Sequence, residues 1–130
     1  MNELYSFEAE ITLIPKEEGG RETIPSLTGS YYKPNIVVGD PNQRQAVIVK
    51  NFIQETYLSI AFESSENDVE FNKPFLAELA MIHYPDPPYD SLVPDTTFTL
   101  REGPNIIGFG RVKSLPAPLV RPSSRPLGKS

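Results

Sequence analysis

Phe7-Glu8-Ala9-Glu10-Ile11-Thr12-Leu13 changes character at every step, so Phe7, Ala9, Ile11 and Leu13 share one face and Glu8, Glu10 and Thr12 the other. A period of two matches the pleat of an extended chain rather than the 3.6-residue turn of a helix, and the stretch reads as a half-buried antiparallel strand. Working outward, further strand candidates lie at 35–38, 46–50, 57–62, 97–101 and 106–113, the last interrupted by Gly108 and Gly110. Those two glycines read as permitting strand coiling or a bulge. Turn signals separate the candidates: Glu18-Gly19-Gly20, Gly39-Asp40-Pro41-Asn42, Ser64 to Asp68, and Pro85-Asp86-Pro87-Pro88. The 14 prolines in 130 residues, spread from Pro15 to Pro126, leave few windows for a long helix, because each removes a backbone donor and clashes with the preceding turn. Short strands at this spacing predict an all-β sandwich or barrel, of a size suited to one domain.

One segment is ambiguous. From Asn72 to Met81 the sequence offers a helix, with Asn72 as cap, Pro74 in the first turn and good helix formers after it. It equally offers a core strand with Phe75, Ala77, Leu79 and Met81 on one face, and local pattern does not separate the two.

The formal charge is −5, with a pI near 4.9, which disfavours a surface attractive to nucleic acid or anionic lipid as a whole. The charge is unevenly placed: residues 1–110 hold seven Lys or Arg and all 17 acids, whereas 111–130 hold five basic residues and no acid. Residues 116–130, PAPLVRPSSRPLGKS, combine proline, serine and basic residues without periodicity and read as a disordered basic tail. Such a tail suits a docking arm for acidic partners or RNA, or a plain solvated terminus. The expected organisation is therefore a domain over 1–115 and a tail over 116–130. The absence of cysteine excludes disulfides and thiolate chemistry, and a single histidine, His83, excludes a histidine-rich metal site. No apolar run approaches a membrane span and the N-terminus lacks the blocks of a signal peptide, so a cytoplasmic protein with no membrane contact is expected.

Catalytic constellations are sparse. Asp86 and Asp90 flank Pro87, Pro88 and Tyr89 in a loop that reads as a solvated connection rather than a carboxylate pair. Tyr84 and Tyr89 could offer aromatic contacts to a protein partner from that loop, or simply belong to a stiff connection. His83 stands without a nucleophile or metal ligand near it in sequence. A non-enzyme without cofactor or metal is the expectation.

Three motifs then resemble one family. Phe7-Glu8-Ala9-Glu10, followed by Lys16-Glu17-Glu18-Gly19-Gly20-Arg21-Glu22-Thr23-Ile24-Pro25, is similar to the opening of the C-terminal, third β-barrel domain of bacterial elongation factor Tu, which reads Phe-Glu-Ala and then Lys-Glu-Glu-Gly-Gly-Arg-His-Thr-Pro. Gly29-Ser30-Tyr31-Tyr32-Lys33-Pro34-Asn35 resembles that family's Gly-Tyr-Arg-Pro-Gln. Phe98-Thr99-Leu100-Arg101-Glu102-Gly103, with Ile107-Gly108-Phe109-Gly110-Arg111-Val112, resembles its closing Phe-Ala-Ile-Arg-Glu-Gly and Val-Gly-Ala-Gly-Val. The resemblance spans about residues 6 to 115 and is weakest between Gly39 and Glu70. It implies a closed antiparallel Greek-key barrel of six to seven strands, and it implies a strand over Phe75 to His83. No Gly-x-x-x-x-Gly-Lys-Ser/Thr loop occurs, so nucleotide binding and hydrolysis are excluded.

The resemblance also implies a binding edge. The positions matching the family's tRNA-contacting residues are Arg21, Glu22, Asn35, Glu102 and Gly103, with Lys33 beside them. Glu22 stands where the family has histidine, and Lys33 and Asn35 replace Arg and Gln, so the edge is more acidic and less suited to bidentate phosphate contact. Arg21 is expected either to meet a ligand or to pair with Glu17, Glu18 and Glu22 at a hairpin turn, and Arg101 and Glu102 to form ion pairs at the rim. Two readings follow: a protein-interaction module that acts around translation or mimics the third domain, with a translation-machinery protein or a toxin targeting it as partner, and a module binding tRNA or another structured RNA through the Arg21 edge.

Overall fold

The computed structural model describes residues 5–50, 52–53, 55–82 and 89–118. Its long strands are β1 (Tyr5–Leu13), β2 (Asn35–Val38), β5 (Leu58–Ser65), β6 (Phe75–Met81), β7 (Thr97–Glu102) and β8 (Asn105–Val112). Shorter pieces are β3 (Ile48–Val49), β4 (Phe52–Ile53) and β9 (Ala117–Pro118), with one 3₁₀ turn, Lys16–Glu18. The six long strands pair antiparallel in the order β6, β5, β2, β7, β8, β1, and β1 returns to β6, closing the ring. Because β2, β5 and β6 are successive neighbours and β6 lies beside β1, the connectivity is a Greek key.

Closure places the period-two faces as the alternation demands. Across β1 and β6, Phe7 faces Leu79, Ala9 faces Ala77 and Ile11 faces Phe75. All six belong to the buried core, together with Ile36, Phe62, Phe98 and Leu100 from the other strands. Phe75–Met81 is thus a strand despite its helical composition. Its free energy is dominated by an apolar face completing the interior, and tertiary burial overrides local propensity.

Gly108 and Gly110 lie on the inner face, opposite Leu13 and Ile11 on one side and Leu100 and Phe98 on the other. Both allow close approach, and Gly108 also stands beside an irregularity of β8, where sequence suggested strand coiling or a bulge. A Cβ on Gly110 would stand 2.5 Å from the Glu10 carbonyl oxygen and 2.7 Å from the Phe98 ring. A narrow barrel is filled by matching large rings with small neighbours, and Gly110 is the vacancy that Phe98 occupies. One register irregularity adjoins Gly108, since Leu100 pairs with Gly108 and Arg101 with Ile106, leaving Ile107 as the extra residue of β8, and another lies between Phe62 and Ser64 in the β5–β6 register.

Three expectations need correction. The strand foreseen at 46–50 is shorter and pairs only with β4, outside the barrel, because Val47, Ile48 and Val49 are solvent-facing and have no place in a ring already closed. Pairing continues past residue 115: β9 pairs with Tyr5 and Ser6, the part of β1 that extends beyond its pairing with β8. Tyr89 is buried in the core, with its hydroxyl donating to the Ser59 carbonyl at 3.0 Å, and so offers no aromatic contact to a partner. His83, Tyr84 and Asp86 lie outside the described residues, as does the proposed tail from Leu119 onward. Replacing Gly110 with alanine should lower stability by about 1–3 kcal/mol through overpacking, read as a fall in urea midpoint with unchanged slope; an unaltered midpoint would show that the strand contact at Gly110 is not tight.

Candidate interaction rim

The rim is built by a doubled-back turn. After β1, Lys16–Glu18 makes one 3₁₀ turn, Gly19 adopts φ +94°, and the Gly20 N–H donates to the Pro15 carbonyl at 2.9 Å. Arg21 N–H then donates to the Ile14 carbonyl at 2.9 Å. A Cβ at Gly20 would overlap that same Ile14 oxygen at 1.8 Å, so only glycine lets the chain fold flat on itself and present Arg21. A second segment, Gly29 to Pro34, runs beside β5, with Ser30 N–H donating to the Phe62 carbonyl at 2.9 Å and Phe62 N–H to the Tyr32 carbonyl at 3.0 Å. This lays the Tyr32 ring 5.6 Å from Phe62. The third segment is the β7–β8 turn, where Gly103 takes φ +58° after Glu102.

The three segments meet at one carboxylate. Arg21 Nη1 and the Tyr32 hydroxyl both donate to Glu102 Oε2. Arg21 Nε donates to the Thr23 carbonyl at 2.9 Å, and its guanidinium lies 5.2 Å over the Tyr32 ring. Burial and the bond to Glu102 push the Tyr32 hydroxyl well above the ordinary phenol range. Burial is the largest single influence on Arg21 and works to lower it, but the bonds and charges of Glu102 and Tyr32 together outweigh it and the pKa is raised. Arg21 is therefore paired across the rim and not with Glu17, Glu18 or Glu22. Glu22 bonds Lys16 at 3.3 Å on the surface, and Glu18 accepts from Asn72 Nδ2 at 2.9 Å. Asn35 accepts from Ser59 Oγ at 3.1 Å and stands opposite Arg101 in the β2–β7 register, while Lys33 is exposed. The fold thus unites Arg21, Glu102 and Gly103 in one cluster, sets Lys33 and Asn35 on the strand entering it, and turns Glu22 outward.

Arg101 was expected at the rim and is fully buried on the outer wall of β7. The arm between β2 and β5 covers it. Arg101 Nη1 and Nη2 donate to the two Glu55 oxygens at 2.8 and 3.1 Å, Nη1 reaches the Tyr57 hydroxyl at 3.0 Å, and Nε reaches Thr99 Oγ1 at 2.9 Å. Glu55 also accepts from Gln43 Nε2 and the Val47 N–H, at 2.8 and 2.9 Å. The bonds from Arg101 chiefly, then those from Gln43 and Val47, hold the Glu55 carboxyl down to about 2 against the opposing effect of burial. Sequence offered no signal for this pair, since Glu55 lies 46 positions away in an irregular stretch.

The tethered arm carries Val47, Ile48 and Val49, each about half exposed (47%, 52% and 50%). It borders the rim: a cleft of about 310 Å³ is lined by Gly19, Arg44, Ile48, Pro104, Asn105 and Ile106. Tyr31, beside Tyr32, is 83% exposed. Among the described residues no cluster of three or more metal-ligating side chains occurs, and no helix is long and apolar enough to cross a membrane. No family model matches the chain, and no curated protein matches it significantly.

Glu55→Gln should cost about 3–5 kcal/mol at pH 7 by leaving the Arg101 charge buried and unpaired. Because the folded carboxyl ionises at about 2 instead of its ordinary 4.5, its stabilisation is full above 4.5 and is lost as pH falls towards 2. Urea unfolding of both proteins across that window should show their difference narrowing with acid; a constant gap would exclude the ion pair as its source.

Proposed function

We propose that this chain is a non-catalytic protein-interaction module related to the third barrel of the elongation factor Tu family, acting around translation and using the rim and its adjoining arm as contact surface. The family relation is supported by the way the three resembling motifs, distant in sequence, converge on one end of a six-stranded barrel. The observation that favours protein over RNA is the engagement of Arg21. With Nε on Thr23 and Nη1 on Glu102, the cation that would meet a phosphate is already neutralised inside the protein. The nearby Lys16 is likewise engaged, by Glu22. Beside them the exposed Tyr31, the half-exposed Val47–Val49 and Pro104 supply apolar and aromatic surface within a polar surround, the composition of a protein contact.

The test pairs two measurements. The whole chain, immobilised and incubated with cell extract, should retain an identified translation-machinery protein, and Ile48→Asp should weaken retention at least tenfold without lowering the thermal midpoint, since Ile48 is half exposed on a strand outside the barrel. Labelled tRNA titrated at low salt should show no salt-sensitive anisotropy change. A tRNA affinity that falls with salt and with Arg21→Ala would replace the protein reading with the RNA one.

A further inference from the structure

A second surface lies on the outer wall of β1 and β6. Glu8 and Glu78 stand directly opposite each other in the register, an arrangement that opposes strand pairing because the like charges repel. Both line a groove of about 640 Å³ whose other walls include Glu66, Leu76 and Leu115. Glu66 accepts the Leu76 N–H at 2.8 Å, and Glu78 accepts from Ser6 Oγ at 2.7 Å. Neither bond neutralises the charge, and among the described residues none of the three carboxylates forms an ion pair. Leu115 is 62% exposed, a large apolar residue at the groove with little covering it.

The chain itself leads into this groove. β9 pairs with β1 at Tyr5 and Ser6, and Ala117 and Pro118 line the groove where the description stops. The segment that follows, LVRPSSRPLGKS, carries Arg121, Arg125 and Lys129 and no acid. Its composition complements the groove on both counts: Leu119 and Val120 match the apolar surface of Leu76 and Leu115, and the basic residues match Glu8, Glu66 and Glu78. Three residues of extended chain reach about 10 Å, enough to carry Arg121 along the wall from Pro118.

We propose that the groove between β1, β6 and β9 is the docking site of residues 119–130 of the same chain, held by Glu8, Glu66 and Glu78. Exposed ion pairs are individually weak, at about 1 kcal/mol or less. Tethering changes the balance, because a segment anchored at Pro118 meets the groove at an effective concentration in the millimolar range. The docked cations also relieve the Glu8–Glu78 repulsion, so the strand pairing that closes the barrel and the docking of the segment support each other.

The chain has no cysteine, so Ser124→Cys gives a single attachment point for a nitroxide. In the full chain, the amide signals of Ser6, Glu8, Leu76 and Glu78 should lose at least half their intensity relative to the reduced label. Those of Val37 and Thr99, on β2 and β7 across the ring, should keep theirs. Adding Glu8→Gln and Glu78→Gln, which preserve shape and remove repulsion, should restore the lost signals. Uniform or absent broadening would overturn the proposal, as would broadening indifferent to the two glutamine substitutions. A mixture of isotope-labelled, nitroxide-free chains with unlabelled, nitroxide-bearing chains should show no effect; broadening there would assign the groove to the segment of a second copy instead.

Discussion

Every other feature of the molecule follows from β1 being bonded along both edges. It pairs with β6 from Tyr5 to Ile11 and with β8 from Ala9 to Leu13, and the overlap at Ala9 to Ile11 is the point where the sheet becomes a ring. Closure removes the long unpaired edges that an open sheet exposes. It also sets a narrow interior, in which Phe98 can be accommodated only because Gly110 faces it and the apolar residues of all six strands must share one volume. Variation is then confined to the ends and the outer wall, and there the rim, the arm and the β1–β6 groove are found.

The outer wall holds the costliest group. Arg101 lies on the outward face of β7, where a barrel normally meets water, and the arm between β2 and β5 removes it from solvent. Desolvating a guanidinium is offset by hydrogen bonding and a paired charge, and Glu55, Tyr57 and Thr99 supply both. The same Glu55 binds Gln43 and Val47, so one carboxylate ties both sides of the arm to the barrel. The pair thereby positions the arm, whose Ile48 lines one cleft with Gly19 and Pro104 near Arg21 and Glu102.

Much of the barrel was legible residue by residue. The alternation in Phe7–Leu13 follows from period-two burial, and the extent of β2 and the approximate positions of β5, β7 and β8 from short apolar runs between turn signals, both local properties. Phe75–Met81 was not separable from a helix by pattern, because Leu, Ala, Glu and Met suit helices and its strand character comes from partners 64 or more positions away on β1. The rim was legible in part. Arg21, Glu102 and Gly103 were recognisable from their motifs, but neither expectation for Arg21, a ligand or the neighbouring Glu17, Glu18 and Glu22, named Glu102 as its partner. Tyr32, which completes the cluster, lay within a recognised motif without being assigned to the edge, and Glu55, which buries Arg101, carried no local mark.

The sequence by itself determined the all-β character, the inward and outward faces of β1, the absence of cysteine chemistry and the division between an acidic body and a basic end, since composition and alternation act over a few residues at a time. Only the tertiary structure decided that the 46–50 stretch stands outside the barrel, that Gly110 makes room for Phe98, that Arg21 is neutralised by Glu102, and that Glu8 and Glu78 face each other over a groove. Each of these joins residues brought together by ring closure, and contacts between distant segments depend on register and connectivity, which no short window of sequence contains.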